Sequence, residues 1–533
     1  MLLFKKIKKP FLITILVLSA IVGFFLSVKG TGTIYYVDAN VTDTNVGSCT
    51  PDFTTYDHTT FATEGGTDSV FKTIADLNAC TFAAGDTINF RRGQTWNEQL
   101  TISQSGTAGN PITFQDFGSG AKPIIDAQST RTYCITMASS LSYITLKNIQ
   151  VQNSVATIGK NITAGAVSGG YIIMDGIDSV GGTLGIDSGF KSNSTYQNIT
   201  ITNPAATNRG GLNLSGTASN VTISNVTVSG SAYHGFRILN ITNLTASGLV
   251  AHDNTGIGIN IDSCDTVNIT DSASYDNASN GWDFTTADSN VTVDGCQAYS
   301  NDHDGFAFHG SGTNNVVKNS LAYDNGVTTD NTSGDGFTNH NTADLDLYYN
   351  IAYGNFESCI GLGGTGDSNV YNNTCYNNFN DAGTDESNNG IMFLDSDGIY
   401  NLKNNIIANH EYEIYVGITA DGTFNINNNL YYDSRGGNAF YWKGTASNFA
   451  DWVTNSGDTN SLNVDPLWVS TSTPNFHLQS NSPAINAGPD AGLTTDYEGN
   501  SIIGLPDMGA YEFLGGVIIL RRNVIFRRNV IIR

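Results

Sequence analysis

The chain has 533 residues, a formal net charge of −24, 58 glycines and only 14% charged side chains. So few charges among so much Gly, Asn, Thr and Ser exclude a bundle of long surface helices, and suit short strands joined by tight turns. The acidic balance also argues against a nucleic-acid partner, because such a surface repels phosphate unless cations intervene.

In chain order, Lys5, Lys6, Lys8 and Lys9 precede an apolar run from Phe11 to Val28, interrupted only by Ser19, Gly23 and Ser27. A basic flank before such a run reads as an export signal, and the run is long enough to span a bilayer. Residues 1–30 are expected to be a cleaved signal peptide or an uncleaved membrane anchor. Either places the body outside the cytoplasm, at the cell envelope or beyond. This leader holds five Lys and the last seventeen residues hold five Arg, with no acid in either; without them 14 basic side chains face 48 acidic ones, leaving the body near −34. Such a body suits Ca²⁺, which takes carboxylate and carbonyl oxygens, although acidity for solubility explains it equally well.

The seven cysteines, Cys49, Cys80, Cys134, Cys264, Cys296, Cys359 and Cys375, form no CxxC pair, which argues against zinc. Cys49 and Cys80 are placed to close a disulfide. The others, one per repeat, read as small buried residues.

Repetition dominates the middle of the chain. Asn254, Asn277, Asn301, Asn325 and Asn355 recur at steps of 23, 24, 24 and 30, and Gly235, Gly258, Gly281, Gly305, Gly336 and Gly361 recur beside them. A period near 23 fits one turn of a three-sheeted coil, three short strands and three corners. The asparagines are expected to stack and bond backbone at a corner, and the glycines to supply angles forbidden to a side chain. After each glycine the residues alternate. Phe236, Ile259, Trp282, Phe306 and Phe337 in first position, with Ile238, Ile261, Phe284 and Phe308 in third, are expected to point inward.

The expected fold is all-β: a single-stranded, right-handed parallel β-helix, a three-sheet solenoid. Residues 31–84 form an N-terminal cap, 85–439 the coil, 440–513 a C-terminal capping module over the other end, and 514–533 a basic and apolar repeat tail (VIILRRNVIFRRNVIIR). The chain is expected to be a monomer.

The end segments carry a resemblance. TIYYVDAN, DSVFKTIADLNAC, AAGDTINFRRGQTWNEQLTI, SGTAGNPITFQDFG and KPIIDA resemble the N-terminal end of pectate-lyase-like β-helix proteins, their polysaccharide lyase branch above all. NLYYDS, DPLWV, NFHLQSNSPAINAG and PDMGAYEF look like the closing module of secreted members. The resemblance spans most of residues 32–513 and implies a cap over the first turn, with Phe71–Ala79 as its short helix. It is specific for fold, and much less so for chemistry.

Positions two and four after the glycine point outward by alternation. They read Arg237, Asn260, Asp283, Ala307, Thr338 and Leu239, Asp262, Thr285, His309, His340, with His234, Asp302, His303, Asp304 and Asp335 at the corner. Elimination at a uronic acid needs a cation on the C6 carboxylate and a base for the C5 proton. On the template the resemblance implies, Asp262, Asp283, Asp302 and Asp304 are the Ca²⁺ candidates and Arg237 the base; His309 is the substitute base, nearer neutral pH. The family's base lysine has no match near DGFAFHG, and Lys318 aligns with Asp294 as a surface ion pair. The leading reading is a surface β-helix that engages acidic polysaccharide and cleaves it by calcium-assisted β-elimination. The alternatives are a non-catalytic, adhesin-type carbohydrate binder using rings such as Tyr412, Tyr415, Tyr441 and Trp442, or a glycoside hydrolase or uronate epimerase on the same scaffold.

Overall fold

The computed structural model describes residues 32–155, 159–165, 169–189, 191–205, 208–326, 334–339, 344–378, 388–436 and 439–515. The N-terminal leader and residues 516–533 of the tail lie outside the described residues, as does His340. Among the described residues no helix is long and apolar enough to cross a membrane.

Short strands pile in parallel register as a three-sided coil. One face is a fifteen-stranded sheet running from Leu100–Ile102 to Thr445–Ser447. The other two faces are joined by strands that bend without breaking, such as Ala218–Ser229 on Ile241–His252. The bend falls at residues in the left-handed region, Asn225 (φ 52°) and, one turn on, Gly248 (φ 62°). Asn is among the few side chains that tolerate this conformation, which is why asparagine marks these corners.

On the fifteen-stranded face the columns align as the alternation predicts. Phe236, Ile259, Trp282, Phe306 and Phe337 pair in sequence, all of them in the core. Their rings stack up the axis, Trp282 on Phe306 at 5.7 Å and Phe306 on Phe337 at 5.1 Å.

Inside the coil runs an asparagine ladder. Each Nδ2 donates to the next Oδ1, from Asn254 through Asn277, Asn301, Asn325 and Asn355 to Asn378, at 2.7–2.9 Å. Asn378 Nδ2 ends the ladder by donating to His410 Nε2 at 3.2 Å, and His410 Nδ1 lies 2.8 Å from Glu413 Oε2. The role expected of the repeat glycines changes here. None of Gly235, Gly258, Gly281, Gly305 and Gly336 is in the left-handed region. They are glycine because a Cβ would strike the ladder: at Gly281 it would stand 2.7 Å from Asn301 Nδ2, at Gly258 1.9 Å from Ser274 Oγ.

At the N-terminal end, strand Ile34–Val37 already pairs in parallel with Thr87–Arg91, so the coil's ladder begins inside the segment assigned to the cap. The cap helix is shorter than expected, Ile74–Asn78, with Phe71 closing the strand before it. Cys49 and Cys80 are bonded. So are Cys359 and Cys375, against the expectation of free buried thiols: sixteen residues separate them, about two-thirds of a turn, so the two inward side chains meet across the interior. At the far end helix Phe449–Ser456 covers the last turn, Trp452 stacking on Phe440 at 5.1 Å. Leu462–Asn463 adds one more parallel strand on Leu430–Tyr432, and residues 464–513 then leave that end. They fold back along a flank of the coil, where Asn372 Nδ2 donates to Asp507 O and Ala510 N–H to Thr374 Oγ1, around a second small core.

Candidate functional site

The second-position column of the fifteen-stranded face is more polar and longer than the sequence reading made it. Asp187, Asn213, Arg237, Asn260 and Asp283 are successive register partners. They alternate with core residues, so they face out, yet Asp187, Asn213, Asn260 and Asp283 are all buried. They form the floor of a groove, and polar contacts run along it. The Asp187 carboxylate pairs with Lys160 and accepts from Arg209 Nη1 at 3.2 Å and from Asn213 Nδ2 at 2.6 Å. Arg237 Nη1 donates to Asn213 Oδ1 at 3.4 Å. Past Asp283 the floor turns small, with Ala307 and then Thr338.

Two histidines flank this floor, shifted in opposite directions. His309 Nδ1 lies 2.9 Å from Asp283 Oδ1, and that hydrogen bond holds the imidazole above its usual pKa in spite of burial. His234 is pushed down to about 4, first by burial and then by the Arg237 guanidinium. Its Nδ1 accepts the Ile257 N–H at 3.0 Å, so that nitrogen carries no proton. Behind the floor, Asp288 is raised to about 7, chiefly by burial, with Asp262 and Asp283 adding to it.

The structure therefore brings Arg237, Asp283 and His309 to one stretch of groove, with Asp262 on the strand beneath Thr285. Among the described residues, no three of the four carboxylates expected to hold Ca²⁺ gather within 4.8 Å of one another. Asp283 is engaged by His309, and Asp304 Oδ1 accepts the N–H groups of Gly334 and Asp335 at 3.0 and 2.9 Å, tying down the next turn. Among the described residues the three carboxylates that do meet, within 4.8 Å, are Asp43, Asp52 and Asp76 in the cap. There Asp52 and Asp76 accept backbone N–H groups of Thr44, Lys72 and Gly47 and so fasten the loop.

Asp187, Asn213, Lys160 and Arg209 escaped the sequence reading. The signal is present: GLNLS repeats the glycine, apolar, polar, apolar order of HGFRIL and NGWDFT, and GIDSG its first three positions. Lys318 and Asp294 do pair at the surface, 3.6 Å apart. Of the aromatic candidates, Tyr415 is buried against Tyr441 at 4.5 Å, and Trp442 packs edge-on to Trp452.

Residues 184–351 match the family model described as right handed beta helix region, and the coil described above is a right-handed parallel β-helix. No curated protein sequence matches the chain. Solved structures similar to it include pectate lyase Pel9A (16% identity, 91% of this chain and 98% of that one, TM-score 0.33). Another is the Azotobacter vinelandii mannuronan C-5 epimerase AlgE4 A-module (14%, 59% and 85%, 0.36). A third is XylC in complex with xylose (11%, 90% and 98%, 0.43).

Proposed function

We propose that this protein acts on acidic polysaccharide in the groove of the fifteen-stranded face, cleaving it by β-elimination. The observation that carries the reading is the Asp283–His309 pair on the same floor as Arg237, two strands along with Asn260 between them. A guanidinium is a cation whose planar fork matches a carboxylate, so Arg237 suits the C6 carboxylate of a uronate better than it suits a base. His309, oriented by Asp283, is the base. It takes the C5 proton, the C–H electrons form the C4–C5 double bond, and the C4–O bond breaks. The leaving oxygen takes a proton from the imidazolium or from water. Since the carboxylates named for Ca²⁺ do not converge, the cationic role falls to Arg237, and Ca²⁺ remains a variable of the test. Two disulfides and the basic-flanked apolar run before residue 30 support an oxidising location outside the cytoplasm.

The test is to incubate the protein with polygalacturonate and with alginate, with Ca²⁺ and with chelator, and to follow unsaturated product by ultraviolet absorbance. The expected result is product from at least one polymer, lost in His309→Ala and Arg237→Ala variants that unfold at the parent temperature. Product surviving both variants moves the site elsewhere. Binding without product makes the groove that of a non-catalytic carbohydrate binder.

A further inference from the structure

Far along the coil, where residues 464–513 lie against its flank, a cleft of about 540 Å³ opens between the two. The coil contributes Tyr376, Asn409 and Tyr432, from three successive turns, and the returning segment contributes Asp465, Trp468 and Gln479. It lies on a different face from the groove and several turns beyond it, and shares no residue with it. The volume falls within the range of clefts that hold small ligands.

Aromatic rings elsewhere on this flank are stacked face to face. His252, Tyr275, Tyr299, Tyr323 and Tyr353 follow one another at 4.7–5.2 Å, leaving only ring edges to solvent. Tyr376 breaks that series: its ring stands at 89° to Trp468, 5.3 Å away, and both line the cleft. Trp468 is more than nine-tenths buried, and its indole N–H is buried without a hydrogen-bond partner. The remaining wall mixes amides and hydroxyls, from Asn409, Gln479 and the short Ser470–Ser472 segment, with the apolar Leu467 and Val469. Its one charged side chain is Asp465.

We infer that this cleft is a second carbohydrate-binding site, and that it takes a neutral sugar. Aromatic faces beside amides and hydroxyls match the apolar faces and hydroxyl rims of a pyranose. Among the described residues the lining offers a uronate no cation, and it would meet the carboxylate of Asp465. The site holds a neutral stretch of glycan against the flank, independently of what the groove does.

The test uses the whole protein and neutral hexasaccharides of the cello, xylo, manno and galacto series, with hexagalacturonate as the acidic probe, read by tryptophan fluorescence and calorimetry. The expected result is saturable binding of at least one neutral probe. Thr471→Trp, at an exposed position on the rim, should weaken it at least tenfold without changing the unfolding temperature, and His309→Ala should leave it as it was. Binding that survives Thr471→Trp and Tyr432→Ala in folded protein, binding of the acidic probe alone at this cleft, or no binding of any neutral probe overturns the assignment.

Discussion

Asp283 and His309 are 26 residues apart in the chain and 2.9 Å apart in space, because Asp283 pairs in register with Ala307, two residues before the histidine. One turn of the coil thus makes a carboxylate–imidazole pair that no local motif announces. Its consequence is a pH profile. The hydrogen bond from Asp283 raises the His309 pKa above the ordinary value near 6.5. A base acts deprotonated, so kcat/KM on acidic polymer should rise with pH through that raised value. Asp283→Asn should move the acid limb to lower pH and reduce the rate, and an NMR titration of the ring should follow the same shift. For stability the sign is reversed: the pair contributes fully below about pH 6.5, and its contribution fades as pH climbs through the folded-state pKa.

The asparagine ladder sets a second expectation. Asn301 Oδ1 accepts from the Asn277 backbone N–H and side chain, while its Nδ2 donates to Asn325 Oδ1 and Ser274 O. Asn301→Ala leaves several buried groups unpaired, at about 1–3 kcal/mol each. The apparent unfolding temperature should drop sharply. Asn314→Gly, on the exposed outer row where φ is 58°, keeps the left-handed conformation and should change it little.

Thiol chemistry gives a count. Cys134, Cys264 and Cys296 are buried and free, and burial pushes the first two up to about 12 and the third higher still. Native protein should not react with a thiol reagent. Denatured without reductant it should titrate three thiols, and with reductant seven, the number of cysteines in the chain. Five thiols without reductant would show one of the two disulfides open, and peptide mapping of the labelled cysteines would tell which.

The columns were legible because two periods coincide in the sequence, two residues along a strand and about 23 around a turn; those place Phe236 over Ile259 and Arg237 over Asn260 without coordinates. The groove floor towards the N-terminus was not, because the marker asparagine gives way to Ser231 one turn before Asn254, so Asp187 and Asn213 lacked the landmark that aligned the rest. Corners defeat the alternation rule altogether. Asp304 turns to backbone groups some 30 residues ahead, at the turn whose longer step the repeat itself displays. Cys359 and Cys375 look like residues of separate repeats, whereas they sit on two faces of a single turn.

The N-terminal motif TIYYVDAN owes its aspartate to a further contact set, and to a last prediction. Asp38, almost wholly buried, accepts from Tyr56 Oη and Arg91 Nη1 at 2.7 Å, Gln94 Nε2 at 2.6 Å and Asn40 N at 3.0 Å. Burial raises its pKa, but the bonds from Gln94, Asn40, Tyr56 and Arg91 outweigh it and hold the carboxyl below its usual range. A depressed folded-state pKa contributes stability that is present above the unfolded value near 3.9 and lost as pH falls through the folded one. Asp38→Asn presents an N–H₂ group to a ring of donors and leaves Arg91 without its counter-charge, at a cost of about 3 kcal/mol. Solenoid ends open locally, so the loss should appear first as faster hydrogen exchange across strands Ile34–Val37 and Thr87–Arg91, with exchange in the Phe236–Leu239 turn unchanged. Equal acceleration at both places would mean that the cap and the middle of the coil unfold as a single unit.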